Sequence, residues 1–135
     1  MDERHVVTCF LERGGQIMLL RRSEHVSTYR GKWAGGSGYI EEGSSSSQQA
    51  WTEIEEGAGL DVDDVELVRE GLPLEVEDSQ LSRMWIVHPF RFQLLRPEEI
   101  KIDWEHTEAR WIAPGDIRRH ETVPGLLEAW ERVAP

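Results

Sequence analysis

The sequence has one cysteine, two lysines and no apolar run close to a membrane span, and each shortage removes a class of protein. Cys9 alone closes no internal disulfide, and its place in an apolar run reads as a buried thiol. Without an apolar stretch of about 18 residues no membrane-spanning helix is expected. The opening Met-Asp-Glu-Arg-His lacks the layout of a signal peptide, so the expected location is the cytoplasm, with no membrane partner. Basic charge is short too: 15 basic residues face 26 acidic ones, for a net charge of −11. A duplex nucleic-acid surface needs a basic stripe, which argues against such a partner. Lys32 and Lys101 are the only lysines among those 15 basic residues, the rest being arginine. An acidic, lysine-poor surface suits a salt-rich cytoplasm, where self-repulsion is screened, and equally suits ordinary solubility. There is no repeat and no linker, so residues 1–135 are read as one domain. The serines at 44–47 belong to no Ser-His-Asp arrangement, and a helix N-cap is their economical reading.

What is present is enough for a core: 39% hydrophobic residues, six of them tryptophan, in 135 positions. Residues 6–11 and 16–22 are β-rich runs joined by Glu12-Arg13-Gly14-Gly15, a hairpin pattern. Residues 23–38 read as a long loop with a short strand around Trp33. Residues 45–58 read as a helix, and 66–74 and 83–95 as two strands. The second alternates through Trp85, Val87, Phe90 and Phe92, and its slip at His88-Pro89 predicts a bulge or an edge. A short strand at 108–112 and a closing helix at 122–133, with Pro124 in its first turn, complete the chain. Adjacent strand runs with helices between and after them predict an α+β class, an α/β/α sandwich with a mixed sheet.

A helix over 45–58 advances about 100° per residue, which gathers Ala50, Trp51, Ile54 and Ala58 into one apolar stripe. Glu53 and Glu56 fall about 60° apart at one edge of that stripe, while Glu55 points to solvent. Neighbouring carboxylates at the rim of a core repel, and their pKa values rise unless a cation intervenes. A divalent ion held by oxygen ligands would remove that repulsion. An exposed acidic helix face is the plain alternative.

The stretch SGYIEEGS at 37–44, seven residues, and then TEIEEGAGL at 52–60 resembles the box of the Nudix hydrolases. The family's pattern is Gly, five residues, Glu, seven residues, then Arg-Glu-hydrophobic-any-Glu-Glu-any-Gly-hydrophobic. Its first glycine matches Gly38 and its closing pair matches Gly59-Leu60, without a gap. IMLLRR at 17–22, Gly31-Lys32-Trp33, and WEHTEARW at 104–111 followed by Ile112-Ala113-Pro114 are similar to the flanking segments. The likeness covers nearly the whole chain and is nearest to archaeal Nudix domains, some of which are fused to sugar-phosphate isomerases. Three positions depart: Ser44 stands for the first glutamate, Thr52 for the arginine and Gly57 for the last glutamate. Gly57 also costs about 1 kcal/mol of helix propensity unless it belongs to the helix cap.

The resemblance implies cleavage of a nucleoside diphosphate linked to another group, with Mg2+ or Mn2+ as cofactor and water attacking phosphorus. It implies Glu53 and Glu56 as metal ligands, completed by the backbone carbonyl near Ser37, with Glu53 also orienting the water. A further acid from a late loop falls on Glu105, the catalytic choice, or Glu108; His106 reads as a polar loop residue. Arg21, Arg22 and Arg30 are candidates for substrate phosphates, with at most one of the first two facing the site, and Arg21 and Arg30 are chosen. Trp33 or Trp85 could stack on a base, with Trp33 the choice and core packing the alternative. The expected partner is a small-molecule nucleotide, and a homodimer is compatible with the chain. The depleted box leaves a second reading open: a catalytically impaired module that binds nucleotides or a protein partner. A carbohydrate hydrolase is disfavoured, because its two acids must flank a substrate across a cleft.

Overall fold

The computed structural model describes residues 1–96 and 100–135. Its frame is β1 (Asp2–Arg13), which folds back through Gly14 and Gly15, both at positive φ, into β2 (Gln16–Arg22). Positive φ at both turn residues matches the right-handed twist of the paired strands. The expected hairpin is therefore present. The loop expectation for 23–38 holds less of the chain: β3 (Trp33–Ala34) pairs with β2, and β4 (Gly36–Tyr39) pairs antiparallel with β1. Helix α1 (Ser46–Ala58) starts where the serines predict, with Ser45 as N-cap in a capping box with Gln48. It ends at Gly59, whose φ of 69° makes it the left-handed cap. Gly57 lies inside the helix and is buried, so it is not the cap.

The strand expected at 66–74 is two strands, β5 (Val65–Glu70) and β6 (Leu74–Asp78). Gly71, Leu72 and Pro73 separate them, and both pair with β7 (Arg83–Leu94) on the same side. β7 is no edge: it also runs parallel to β1 in unbroken register from Asp2↔Arg83 to Glu12↔Gln93. The slip at His88-Pro89 is a change of buried face, not a bulge. Trp85 and Val87 pack into one core and Phe90 and Phe92 into the other. Pro89 sits where β5 gives way to β6, and its carbonyl accepts the Gly71 N–H at 2.9 Å. The register shifts lie elsewhere, in β5 between Leu67 and Arg69 and in β2 between Arg21 and Arg22.

β8 (His106–Ile112) begins earlier than expected and pairs with β2. The closing helix is shorter than expected: α2 spans Leu126–Glu131, and a 3-10 turn, Pro114–Arg119, precedes it. Pro124 lies outside α2, because Thr122 bridges to Trp33 and Gly125 turns the chain at φ 80°.

Among the described residues eight strands form one mixed sheet, with α1 on one face and the 3-10 turn and α2 on the other. Alternating residues of β1 and β7 feed both cores, Val7, Cys9, Phe90 and Phe92 beneath α1, and Phe10, Trp85 and Val87 beneath α2. Burying Phe90 and Phe92 fully contributes roughly 2–3 kcal/mol each. This is the α+β sandwich that the element order predicts. No described helix is long and apolar enough to cross a membrane.

Candidate active site

Strand β4 and helix α1 bring together the two ends of the box. Ser37 is opposite Thr8 in the β1–β4 ladder, and the following Gly38 faces the Glu53 carboxyl. A Cβ at residue 38 would lie 2.0 Å from Glu53 Oε1, so only glycine leaves room for that carboxyl. Gln49, one turn earlier and buried, donates from Nε2 to the same Oε1 at 3.1 Å. Oε2 has no side-chain hydrogen-bond donor among the described residues.

Glu53 is half-buried, and burial is the main reason its pKa rises from the usual 4.5 to about 7. The Gln49 bond opposes that rise, while Glu105, Glu56 and Asp103 add to it in that order. Four acids thus share one field. Glu56 is exposed at the helix edge. Glu105 arrives from the segment before β8, held by its backbone: its carbonyl accepts from Ser23 N–H at 2.7 Å and its N–H donates to Asp103 Oδ1 at 3.1 Å. The same Asp103 oxygen pairs with Nδ1 of the buried His106 at 3.0 Å, so His106 anchors this turn. Glu108 points elsewhere, toward Arg110 at 3.1 Å and Arg21 at 3.8 Å.

Beside the carboxylates a cavity of about 130 Å3 opens between the sheet and α2. Ser37, Gly38, Glu105 and Arg22 line one end, and Tyr29, Tyr39 and Trp85 line another part. Arg22 is part-buried, which lowers its pKa against the opposing pull of Glu105, Tyr39 and Tyr29. Its Nε and Nη2 grip the carbonyl and hydroxyl of Thr28 at 2.9 and 3.3 Å. Among the described residues no carboxylate lies within ion-pair distance of it.

Arg21, Arg30 and Trp33 do not line this cavity. Arg21 is exposed and bonds the Gly31 carbonyl at 3.1 Å. Arg30 bonds the Val26 carbonyl at 2.7 Å. Trp33 is buried in the α2-side core, with the Arg110 guanidinium 4.6 Å from its ring. Strand parity marks one of Arg21 and Arg22 as inward without saying which, and Tyr29 and Tyr39 carry no sequence signal of their own.

The donor set consists of hard carboxylate oxygens, the chemistry that suits Mg2+ or Mn2+. Among the described residues no group of three or more His, Cys, Asp or Glu is arranged to hold an ion. Two carboxylates suffice for Mg2+ when waters and substrate phosphates complete its octahedron. Burial is the main cause of the raised Glu53 pKa, and a cation there would relieve the smaller part that comes from Glu105, Glu56 and Asp103.

The NUDIX domain model matches residues 1–132. Among solved structures, the MutT protein from Methanosarcina mazei Go1 superposes with a TM-score of 0.77 at 23% identity, covering 97% of this chain and 92% of that one. A C. elegans Ap4A hydrolase binary complex gives 0.76 at 15% identity, over 98% and 94%. The MutT NUDIX hydrolase from Burkholderia pseudomallei gives 0.75 at 19%, over 99% and 100%. No curated protein matches the sequence. With the family model spanning all but the last three positions, and the half-buried Glu53 seated against Gly38, the chain belongs to the NUDIX domain family.

Proposed function

We propose that this protein is a Nudix-type pyrophosphohydrolase, cleaving a phosphoanhydride bond in a nucleoside diphosphate linked to another group. The observation that carries the reading is Glu53: a half-buried carboxyl with pKa about 7, set against Gly38, which lines the same cavity as Arg22. A group that titrates near neutral pH is suited to accept a proton from water. Oε1 is occupied by Gln49, so Oε2 is the atom that takes it. Glu105 supplies a second carboxylate at the same end, and Arg22 offers its free Nη1 to a phosphate oxygen. With Trp33 and Trp85 buried, Tyr39 is the exposed aromatic ring in the cavity lining that is open to a nucleoside.

Glu53 and Glu56, with the Ser37 backbone carbonyl, would hold Mg2+ or Mn2+. When bound, the metal supplies charge neutralisation on the phosphate oxygens. Arg21 and Arg30 lie outside the cavity lining, each bonded to a loop carbonyl, and are assigned no part in holding the substrate. The substrate is a small-molecule nucleotide, not a duplex, and the working enzyme is cytoplasmic, as a monomer or homodimer.

Incubation of the protein with nucleoside triphosphates, nucleotide sugars and dinucleotides, with Mg2+ or Mn2+, tests the reading against a Glu53→Gln control. Turnover above that control on at least one compound is expected, and none on any compound overturns it. One observation favours a second reading, a binding module without turnover: the described acids form no three-ligand cluster. Calorimetry with the same compounds separates the two, since nucleotide binding without product favours the module.

A further inference from the structure

A strand at the edge of a sheet leaves backbone N–H and C=O groups without partners, and these invite another chain unless something blocks them. Among the described residues, the strands of five or more residues that pair on one side only are β5, β6 and β8. β5 is blocked in mid-strand. Its ladder steps from Leu67↔Phe92 to Arg69↔Arg91, so Val68 is an extra residue that breaks the edge. β6 is blocked by charge, since Glu75, Glu77 and Asp78 would set acid against acid in a second copy.

β8 has neither safeguard over most of its length. Its ladder with β2 steps from Arg21↔Glu108 to Arg22↔His106, which makes Thr107 the extra residue and leaves Glu108 to Ile112 regular. Among the described residues no loop backbone bonds residues 107–112. Glu108, Arg110 and Ile112 alternate onto the α2 face, where Ile112 joins the core and Arg110 lies over the Trp33 ring at 4.6 Å. The two charged side chains flank the exposed Ala109 and meet at 3.1 Å.

When a strand pairs antiparallel with a copy of itself, the two-fold axis passes through one residue position, and residues equally far on either side face each other. With the axis at Ala109, Glu108 faces the partner's Arg110 and Arg110 faces the partner's Glu108. The small Ala109 meets its own copy, and Thr107 meets the partner's Trp111. One residue further on, Arg110 would face itself; one residue back, Glu108 would. Ala109 is the centre that satisfies both charges. The end of the partner's strand then runs past the start of β8, just after Trp104, which is 66% exposed.

We propose that β8 is the contact between two copies of this chain, an antiparallel pairing centred on Ala109 that joins the two sheets edge to edge. The contact is small and each copy carries a net charge of −11, so the dimer is weak and concentration-dependent. It closes at two copies, because a two-fold contact uses the same edge of both. The proposal is independent of the hydrolase reading and concerns association alone.

Sedimentation velocity of the full chain tests it, from roughly 10 to 500 µM in about 150 mM salt, which screens the general repulsion. Monomer giving way to dimer is expected; monomer throughout, or larger assemblies, overturns the proposal. Arg110→Glu sets acid opposite acid and Glu108→Arg sets base opposite base, so each alone should weaken the dimer at least about tenfold. Mixed one to one, the two variants restore both pairs, and a heterodimer should return to within about threefold of wild-type affinity. A single variant that dimerises as tightly as wild type, or a mixture that stays monomeric, overturns the proposal. The double variant also restores opposite charges and should dimerise, which separates pairing across copies from mere loss of the Arg110 contacts with Trp33 and His120. A folded double variant that remains monomeric counts against the pairing.

Discussion

Replacing Glu53 with glutamine should abolish turnover and, without metal, make the protein more stable at alkaline pH. In the unfolded chain this carboxyl titrates near 4.5; in the folded protein it titrates at about 7. The folded state therefore holds the proton more tightly, and its stability falls as pH rises from about 4.5 through 7. The gap, at about 1.4 kcal/mol per pH unit, amounts to roughly 3 kcal/mol above pH 7. Residual solvent contact reduces it, so about 2 kcal/mol is expected. For a domain of this size that is on the order of 5–10 °C in Tm. Glutamine carries no charge and can still accept from Gln49, so it should escape the loss. The assay is thermal unfolding of both proteins in EDTA from pH 5 to 8.5. The two curves should lie close together at pH 5 and diverge toward pH 8, with the glutamine variant higher. Adding Mg2+ at pH 8 should then raise the wild type and leave the variant nearly unmoved. A Tm difference that stays constant across the pH range would refute the reasoning.

Gly38→Ala places a methyl group where the Glu53 carboxyl now lies, so kcat should fall at least about a hundredfold with the fold retained by circular dichroism. Arg22→Gln should raise KM by roughly 10- to 100-fold, the worth of a charged hydrogen bond, while Arg21→Gln leaves it within about twofold; steady-state kinetics compares them. Gly57→Glu adds a carboxylate where a Cβ would meet Glu53 Oε2 at an ordinary 3.8 Å, so the Mg2+ concentration giving half-maximal rate should drop severalfold. Native Cys9, buried and with its thiol pushed up by burial and by Glu53, should resist Ellman's reagent until the protein is unfolded.

Local chemistry alone located much of this protein. An N-cap among the serines follows from their side-chain chemistry, and the apolar stripe through Ala50 and Ile54 and the paired placement of Glu53 and Glu56 follow from 3.6-residue periodicity. The Gly14-Gly15 turn follows from the φ > 0 that a tight hairpin demands. Composition and the box spacing indicated the class and the family. The tertiary structure decided the rest. A period of two puts Arg21 with Ile17 and Leu19 on the α2 face, yet Arg22 is the one that lines the cavity, at the place where the β2–β8 register shifts between the two. The break in alternation at Pro89 looked like an edge because one strand pattern cannot show two cores, yet β7 is central and feeds both. Gly38 and Glu53, fifteen positions apart, meet because β4 packs on α1, and that packing desolvates the carboxyl. Tyr29, Asp78 and Trp85 come from a loop and two strands and join only through long-range pairing. The sequence by itself thus determined which carboxylates share one edge of one helix, because that placement is periodic and local. Which arginine, aromatic rings and loop acid surround it was set by strand order and sheet-face burial, which depend on contacts between distant segments.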